Sequence, residues 1–282
     1  MALRVKDGAR GLRQSDALFQ HIQNLPALVD WAFEQADEIG CVCVSAKPRP
    51  QKDSYMPVFF AGLQFARVLA GGLRAPLYET THQEGHLYAA KPDGLGHEYI
   101  AFHVSGGTTE VLHVKDDQKG RARLSLIGGS SDLHAGQFID RIGVALGLPF
   151  PCGKALYALL EDAREISVRL PVSVKGGVCS FSGVETQAQR MVGKESAESI
   201  ALAVHLCIAQ SLFQMLENVC AQTGVYTVLL FGGVMESLFI REKFALWNEQ
   251  NKYRIHFAKP GLSMDNAVGV ARIGTYRWRE EE

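Results

Sequence analysis

The sequence carries almost no excess of charge, and we find neither a signal peptide nor an apolar run long enough to cross a membrane. Its 282 residues include 29 Lys+Arg and 30 Asp+Glu, so the formal net charge is −1. A balanced charge supplies no general positive field for nucleic acid, so any such contact needs a local patch or a partner. A membrane-spanning helix needs about 20 consecutive apolar residues. We therefore expect a cytoplasmic protein that does not enter a membrane.

Cysteines and the common catalytic signatures are also scarce. The six cysteines form no dense framework, which suits a reducing compartment. No Walker A sequence is present, and no Ser–His–Asp or Cys–His order can be defended, so neither the P-loop enzymes nor the triad hydrolases are indicated. The remaining composition, 47% apolar and 21% charged, is that of an ordinary globular protein with one large or two ordinary domains.

Predicted strands alternate with predicted helices, which indicates an α/β fold in which helices connect the strands of a sheet. The segment 92–96, Pro-Asp-Gly-Leu-Gly, is typical of a domain boundary, and the composition of 175–183 predicts a Gly/Ser-rich loop. The predicted helices lie near residues 15–32, 58–73, 82–86, 136–146, 153–165 and 197–223, and from about 236 and 265. The predicted strands lie near residues 39–45, 77–78, 99–104, 109–114, 121–127, 225–231 and 253–257.

The stretch His-Gln-Glu-Gly-His at 82–86 is a candidate metal site. Histidines four apart on a helix share one face, so His82 and His86 can bind one ion. The best candidate for a third ligand is Asp265, near the C-terminus. Zincin peptidases need their catalytic Glu directly after the first His, and here that position is Gln83. The alternative for the histidines is a surface or capping pair, and for Asp265 a helix N-cap.

Two glycine turns are candidates for phosphate binding. Ser105-Gly106-Gly107-Thr108 joins two predicted strands, and Gly232-Gly233 follows a buried strand directly before a helix. Without a Cβ in the way, backbone N–H groups can approach an anion closely. Each turn alone is also compatible with an ordinary tight turn. Together they favour nucleotide or phosphate binding.

Polar residues flank the helix predicted from about residue 136. Asp132 is a candidate N-cap of that helix. Asp140 lies deeper in it, where it is either a solvated residue or an acceptor of hydrogen bonds from a ribose hydroxyl.

Six segments resemble, in order and approximate spacing, the TsaD/Gcp family of tRNA threonylcarbamoyl transferases, once labelled O-sialoglycoprotein endopeptidases. The segments are HQEGH (82–86), VSGGTTEVL (104–112), SSDLHAGQFIDRIGVALGLPFPCG (130–153), SFSGVET (180–186), FGGVMES (231–237) and MDNA (264–267). The resemblance covers nearly the whole chain from about residue 15. No single motif decides the matter, but six in register are a strong signal.

The resemblance implies an α/β fold of the ASKHA group (actin-like ATPases, Hsp70, sugar kinases), with two lobes around a nucleotide cleft. The expected lobes are residues 1–97, completed by 265–282, and residues 98–264. The family transfers threonylcarbamoyl from threonylcarbamoyl-adenylate to N6 of adenosine 37 in tRNAs reading ANN codons. The implied cofactors are one divalent metal, iron or zinc, and an adenine nucleotide or adenylate. The implied partners are tRNA and either a TsaB-like ASKHA paralogue or a second copy of the chain.

By the same resemblance, His82, His86 and Asp265 match the metal ligands. The implied nucleotide or substrate contacts are His103, Val104, Ser105, Gly106, Gly107, Asp140, Gly153, Gly232, Gly233 and Ser237. The resemblance assigns no catalytic residue.

The chain also departs from the family pattern. Its start aligns after the family's opening β-hairpin, the first phosphate loop, so we expect either a truncated chain or a first lobe that lacks the two or three strands of that region. Thr108 replaces a His, Gln137 a Glu, Arg141 a Lys, Glu185 a Lys and Ser237 an Asn. These changes leave open whether the chain is catalytic. The alternatives are a non-catalytic ASKHA scaffold in a tRNA-modification complex, a metallopeptidase, or a carbamoyltransferase acting on a small molecule.

Overall fold

The computed structural model describes residues 4, 13–161, 168–264 and 266–282. The chain divides into two compact units. Unit 1 comprises Met1–Ala89, Asp116–Ala122 and Asp265–Glu282, and unit 2 comprises Ala90–Lys115 and Arg123–Met264. The lobe boundaries expected at residues 97 and 264 stay a prediction.

Unit 1 is built on two parallel strands with helices on both faces. Its elements are α1 (Gln14–Gln35), β1 (Val42–Lys47), α2 (Phe59–Leu73), β2 (Leu77–Thr81), α3 (His82–Ala90) and, from the C-terminus, α9 (Ala267–Glu281). Gly62 of α2 lies against Val44, whereas Gly274 of α9 lies against Cys43. Because consecutive strand residues point to opposite faces, α2 and α9 cover opposite faces of the β1–β2 pair. In the described part of unit 1 no further strand pairs with these two.

Unit 2 contains a seven-stranded sheet in the order β6-β7-β5-β4-β3-β8-β9. Its strands are β3 (Glu98–Val104), β4 (Thr109–Asp116), β5 (Ala122–Ser130), β6 (Val174–Lys175), β7 (Val178–Cys179), β8 (Thr227–Phe231) and β9 (Arg254–Phe257). Its helices are α4 (Ala135–Ala145), α5 (Gly153–Ala158), α6 (Ser182–Gln189), α7 (Ala197–Thr223) and α8 (Leu238–Trp247). The β3–β4 hairpin is antiparallel, whereas β3, β8 and β9 run parallel to one another.

Helix α7 is the centre of the unit 2 core. Its Ser196 N-cap accepts a hydrogen bond from the Ser199 amide at 3.2 Å, and the helix ends at Gly224 with φ of 71°. By length and composition α7 could cross a membrane, but 78% of its most apolar window is buried within the fold. Burial on that scale explains its apolar sequence, because a helix that is hydrophobic all round packs in a core.

Most predicted elements are confirmed, and three predictions need correction. Residues 175–183 are not a loop, since they contain the end of β6, all of β7 and the start of α6. The helix predicted over 153–165 ends at Ala158, and part of the remainder lies outside the described residues. The last helix has Asn266 as its N-cap, while Asp265 lies outside the described residues.

Candidate functional site

The candidate metal site of unit 1 begins where β2 passes directly into α3. Glu84 is buried in the first turn of α3, and its carboxylate accepts hydrogen bonds from the Thr80 hydroxyl at 3.0 Å and the Thr81 hydroxyl at 2.7 Å. The Thr81 backbone N–H donates to the same oxygen at 3.0 Å. Glu84 therefore stabilises the start of the helix, where a negative charge is favourable. Its carboxylate is engaged by the protein itself, which argues further against the peptidase alternative.

The two histidines of α3 are arranged as a pair of metal ligands would be. Their Nε2 atoms lie 3.1 Å apart, and the ring planes meet at 78°. When two nitrogens bind one ion at about 2.0–2.1 Å, and the nitrogen–metal–nitrogen angle lies between the octahedral and the tetrahedral value, they are roughly 2.9–3.4 Å apart. The observed separation falls within this range. Desolvation and the neighbouring His86 lower the pKa of His82 to about 4. His82 is therefore neutral near pH 7, which is the form that binds metal.

A close crossing of α3 and α9 brings the C-terminal segment next to these histidines. A Cβ added to Gly269 would lie 1.8 Å from the Gly85 carbonyl oxygen, so only glycine allows the two backbones to meet. At the start of α9, Asn266 Nδ2 donates to the His82 carbonyl oxygen at 2.7 Å. The sequence prediction missed this role of Asn266, although the residue lies inside the MDNA segment. Asp265 as third ligand stays a prediction, and no cluster of three His, Cys, Asp or Glu side chains occurs among the described residues.

In unit 2 the candidate nucleotide residues gather at the carboxyl ends of β3 and β8. These parallel strands end side by side at Val104 and Phe231. Gly232 has φ of 100°, and a Cβ there would lie 2.2 Å from the Val104 carbonyl oxygen, so no other residue fits. The His103 ring stacks on the Phe231 ring at 4.7 Å. The carboxyl edge of parallel strands is where α/β folds bind ligands.

The hairpin turn at this edge packs against the N-terminus of α4. The turn is closed by a 2.7 Å hydrogen bond from the Ser105 amide to the Thr108 carbonyl oxygen. A Cβ on Gly136 would lie 2.6 Å from the Gly106 Cα, which shows how closely the turn and α4 approach. The Ala135 amide donates to the buried Thr109 hydroxyl at 2.9 Å. A glycine turn beside a helix N-terminus is an arrangement that can hold a phosphate.

Three further candidate residues have structural roles in unit 2. Asp140 Oδ1 accepts a hydrogen bond from the Cys152 amide at 2.8 Å, which ties α4 to the residue preceding Gly153. Ser237 is the N-cap of α8, and its hydroxyl accepts from the Ile240 amide at 3.4 Å. Gly233 opens a single turn of 3-10 helix after β8.

The prediction that Asp132 caps α4 is wrong, because the N-cap of α4 is His134. Asp132 instead accepts hydrogen bonds from the Ser180 and Ser182 hydroxyls and from the Phe181 amide, at 2.6, 2.5 and 2.9 Å. Burial raises the pKa of Asp132, but these hydrogen bonds outweigh that effect and hold it well below its ordinary value. The residue therefore joins the loop before α4 to the start of α6.

The charge reversal at Glu185 lies inside the fold. This side chain in α6 is 6% exposed, and its carboxylate accepts a hydrogen bond from the Gln189 side-chain amide one turn later. This local partner accounts for the burial of a carboxylate at a position where the family resemblance led us to expect a lysine.

Comparisons with known proteins agree along most of the chain. A family model described as tRNA N6-adenosine threonylcarbamoyltransferase matches residues 9–272. A protein of that name from Thermus thermophilus is 30% identical over 288 residues, which cover 99% of this chain and 84% of the relative. The one from Methanopyrus kandleri is 30% identical over 94% of this chain and 76% of its own length.

Among solved structures, full-length HypF in the phosphate- and nucleotide-bound form superposes with a TM-score of 0.62 at 12% identity. The match covers 78% of this chain and 45% of HypF, so this chain corresponds to less than half of that protein. The likeness confirms the ASKHA fold expected from the sequence.

Proposed function

Because the chain belongs to the tRNA N6-adenosine threonylcarbamoyltransferase family, we propose that it transfers threonylcarbamoyl from threonylcarbamoyl-adenylate to N6 of adenosine 37 of tRNA. The observation that carries the proposal is the family match over residues 9–272. The paired Nε2 atoms of His82 and His86, 3.1 Å apart, support it because the non-catalytic paralogues generally lack both histidines. The proposed substrates are present in the cytoplasm, which we propose as the site of the reaction.

The donor set of unit 1 fits a divalent iron or zinc ion. His82 and His86 would supply two neutral imidazole nitrogens and Asp265 a carboxylate, a combination that both metals accept. A metal bound there supplies Lewis acidity, which polarises a carbonyl or carbamoyl oxygen. The role of the protein is to orient the histidines. Asn266 holds the start of α9 against the His82 carbonyl, and Glu84 stabilises the first turn of α3, which carries both histidines.

We propose that the adenylate is bound at the carboxyl edge of the unit 2 sheet. The Gly106 and Gly107 amides of the turn would face the phosphate, and the positive end of the α4 dipole beside them would favour its charge. The Ser105, Ala135 and Gly136 amides would not take part, because they donate to Thr108, Thr109 and Ser105. Asp140 uses one carboxylate oxygen for the Cys152 amide, and the other is available for a ribose hydroxyl. Because the adenylate is already activated, positioning of the tRNA amine would supply much of the acceleration.

The proposed partner surface is formed by the apolar side chains of α1 and α2. No residue of α1 is buried, and Phe19 and Trp31 are 61% and 60% exposed. On α2, Phe60 and Val68 are 49% and 75% exposed. A concentration of exposed aromatic and aliphatic side chains is typical of an interface. We propose that a TsaB-like paralogue or a second copy of the chain covers this surface. The molar mass from light scattering, measured for the protein alone and for a mixture with such a paralogue, would distinguish the two.

The activity test uses the full-length protein, threonylcarbamoyl-adenylate labelled in its threonine, and an ANN-decoding tRNA. We expect label in this tRNA and none in a matched transcript with guanosine at position 37, which lacks the N6 amine. His82→Ala should abolish transfer, while His97→Ala, which changes an exposed histidine directly before β3 and outside α1 and α2, should not. Absence of transfer by the native protein, alone and with a TsaB-like partner, would favour the non-catalytic scaffold.

Metal analysis tests the unit 1 site separately from activity. Protein purified without chelator should hold about one equivalent of iron or zinc. His82→Ala and His86→Ala should each lose it, whereas His21→Ala should keep it. Unchanged metal content in both α3 variants would refute the site.

A further inference from the structure

The outer edge of the unit 2 sheet at β9 borders a groove. A cavity of about 470 Å³ is lined by Ala245 of α8, by Asn248 and Asn251 in the segment that follows this helix, and by the five consecutive residues from Tyr253 to Phe257. Consecutive strand residues point to opposite faces of a sheet. A cavity that touches all of them must therefore run along the edge of the strand, and β8 occupies the other edge.

The register of β9 determines which of its backbone groups face this groove. The Arg254 amide donates to the Tyr226 carbonyl oxygen at 2.8 Å, and the Ala258 amide donates to the Leu230 carbonyl oxygen at 3.1 Å. In a parallel pair, alternate residues direct both their N–H and C=O groups to the same neighbour. The backbone groups of Ile255 and Phe257 consequently face the groove, where no strand of the described chain pairs with them.

The side chains that line the groove are apolar, neutral polar or cationic. Ala245, Ile255 and Phe257 provide apolar surface, Arg254 provides a positive charge, and no Asp or Glu is among the lining residues. The adjacent Lys252 places a second cation beside the groove, over the Tyr253 ring at 5.0 Å. The edge strand is thus suited to a segment that supplies backbone hydrogen bonds together with negative charge.

We propose that β9 binds an extended acidic peptide segment of another protein, which adds to the sheet as an eighth strand. Four residues of such a segment span about 13 Å, which matches the four residues of β9. A second copy of β9 is a poor occupant, because antiparallel self-pairing would bring the cations of both copies together. Single-stranded RNA shares the negative charge, but it lacks the alternating donors and acceptors that the strand edge presents.

The test measures fluorescence anisotropy of the full-length protein with a capped, labelled peptide that alternates glutamate and valine over six residues. Its matched controls are the lysine–valine peptide and the same acidic peptide with N-methylated backbone amides. We expect binding of the acidic peptide to be at least about tenfold tighter than that of either control, which corresponds to about 1.4 kcal/mol. Arg254→Glu should remove this preference, while Arg190→Glu, at the exposed C-cap of α6, should preserve it.

Hydrogen exchange supplies an independent measurement. The Ile255 and Phe257 amides should exchange readily in the free protein and become protected when the acidic peptide is bound. Equal binding of the N-methylated peptide, or protection absent from these two amides, would overturn strand addition. Strand addition would also be overturned if oligouridylate displaced the acidic peptide and Arg254→Glu and Arg190→Glu lost the same amount of peptide affinity. That result would show a general electrostatic contact.

Discussion

The crossing of α3 and α9 gives the most direct prediction, because the structure leaves no room for a methyl group there. In Gly269→Ala the new Cβ would lie 1.8 Å from the Gly85 carbonyl oxygen and 2.5 Å from the Ala89 amide nitrogen. Both atoms belong to the backbone, so no side-chain rotation relieves the clash and the helices must separate. Overpacking of this kind costs about 1–3 kcal/mol or more, and alanine regains about 1 kcal/mol of helix propensity. We expect α9 to lose roughly 2 kcal/mol of local stability.

The matched control for this change is Gly71→Ala in α2. A Cβ at Gly71 meets no atom within 4 Å, so only the gain in helix propensity, about 0.5–1 kcal/mol, should appear. Because the chain forms two compact units, hydrogen exchange of peptides from α3 and α9 is a better measurement than a single global transition. Faster exchange in Gly269→Ala together with unchanged or slower exchange in Gly71→Ala is the expected result. Native protection of α3 and α9 in Gly269→Ala would refute the close crossing.

Three further predictions concern titration and capping. Burial lowers the pKa of His205, so the unfolded chain binds more protons than the folded one at mildly acidic pH. The free energy of unfolding should therefore fall as the pH drops through about 6.5. Between pH 7.5 and pH 5.5, His205→Phe should lose less unfolding free energy than the native protein. The pKa of Asp132 is lowered well below its ordinary value, so its stabilisation is fully present above about pH 3.8 and shrinks progressively as the pH falls below that value. Asp132→Asn should be less stable than the native protein at pH 7, and the difference in unfolding free energy should be smaller at pH 3 than at pH 7 without disappearing. Glu84→Ala removes the acceptor of the buried Thr80 and Thr81 hydroxyls. It should lower the free energy of unfolding in urea by about 1–3 kcal/mol. A urea midpoint equal to that of the native protein would contradict this prediction.

Several features followed from local chemistry and could be predicted without the fold. The four-residue spacing of His82 and His86 requires a shared helix face, and the structure has it. The two strand-like runs on either side of the glycine turn Ser105–Thr108 predicted the β3–β4 hairpin, which pairs in full register. The family resemblance rested on six such local segments, and the family match over residues 9–272 agrees with it.

Other features depend on contacts between residues far apart in the chain, which no local pattern encodes. The sequence offered Asp132 as a cap of the nearest helix, but tertiary packing places the Ser180 and Ser182 hydroxyls against it. The glycine-rich stretch at 175–183 resembles a loop because strand propensity is weak there; pairing with Gly129 and Ser130 of β5 nevertheless makes part of it a strand.

The sequence by itself determined the helix with two histidines on one face, the glycine turns and the family. Only the tertiary structure decided which groups those elements meet: the Asn266 amide on the His82 carbonyl, the Thr109 hydroxyl on the first amide of α4, and the edge of β9 that no described strand covers. The physical reason is the distance along the chain over which each kind of interaction acts. Periodicity and turn chemistry act over a few residues, whereas close backbone approach, as between Gly85 and Gly269, is set by the packing of whole helices.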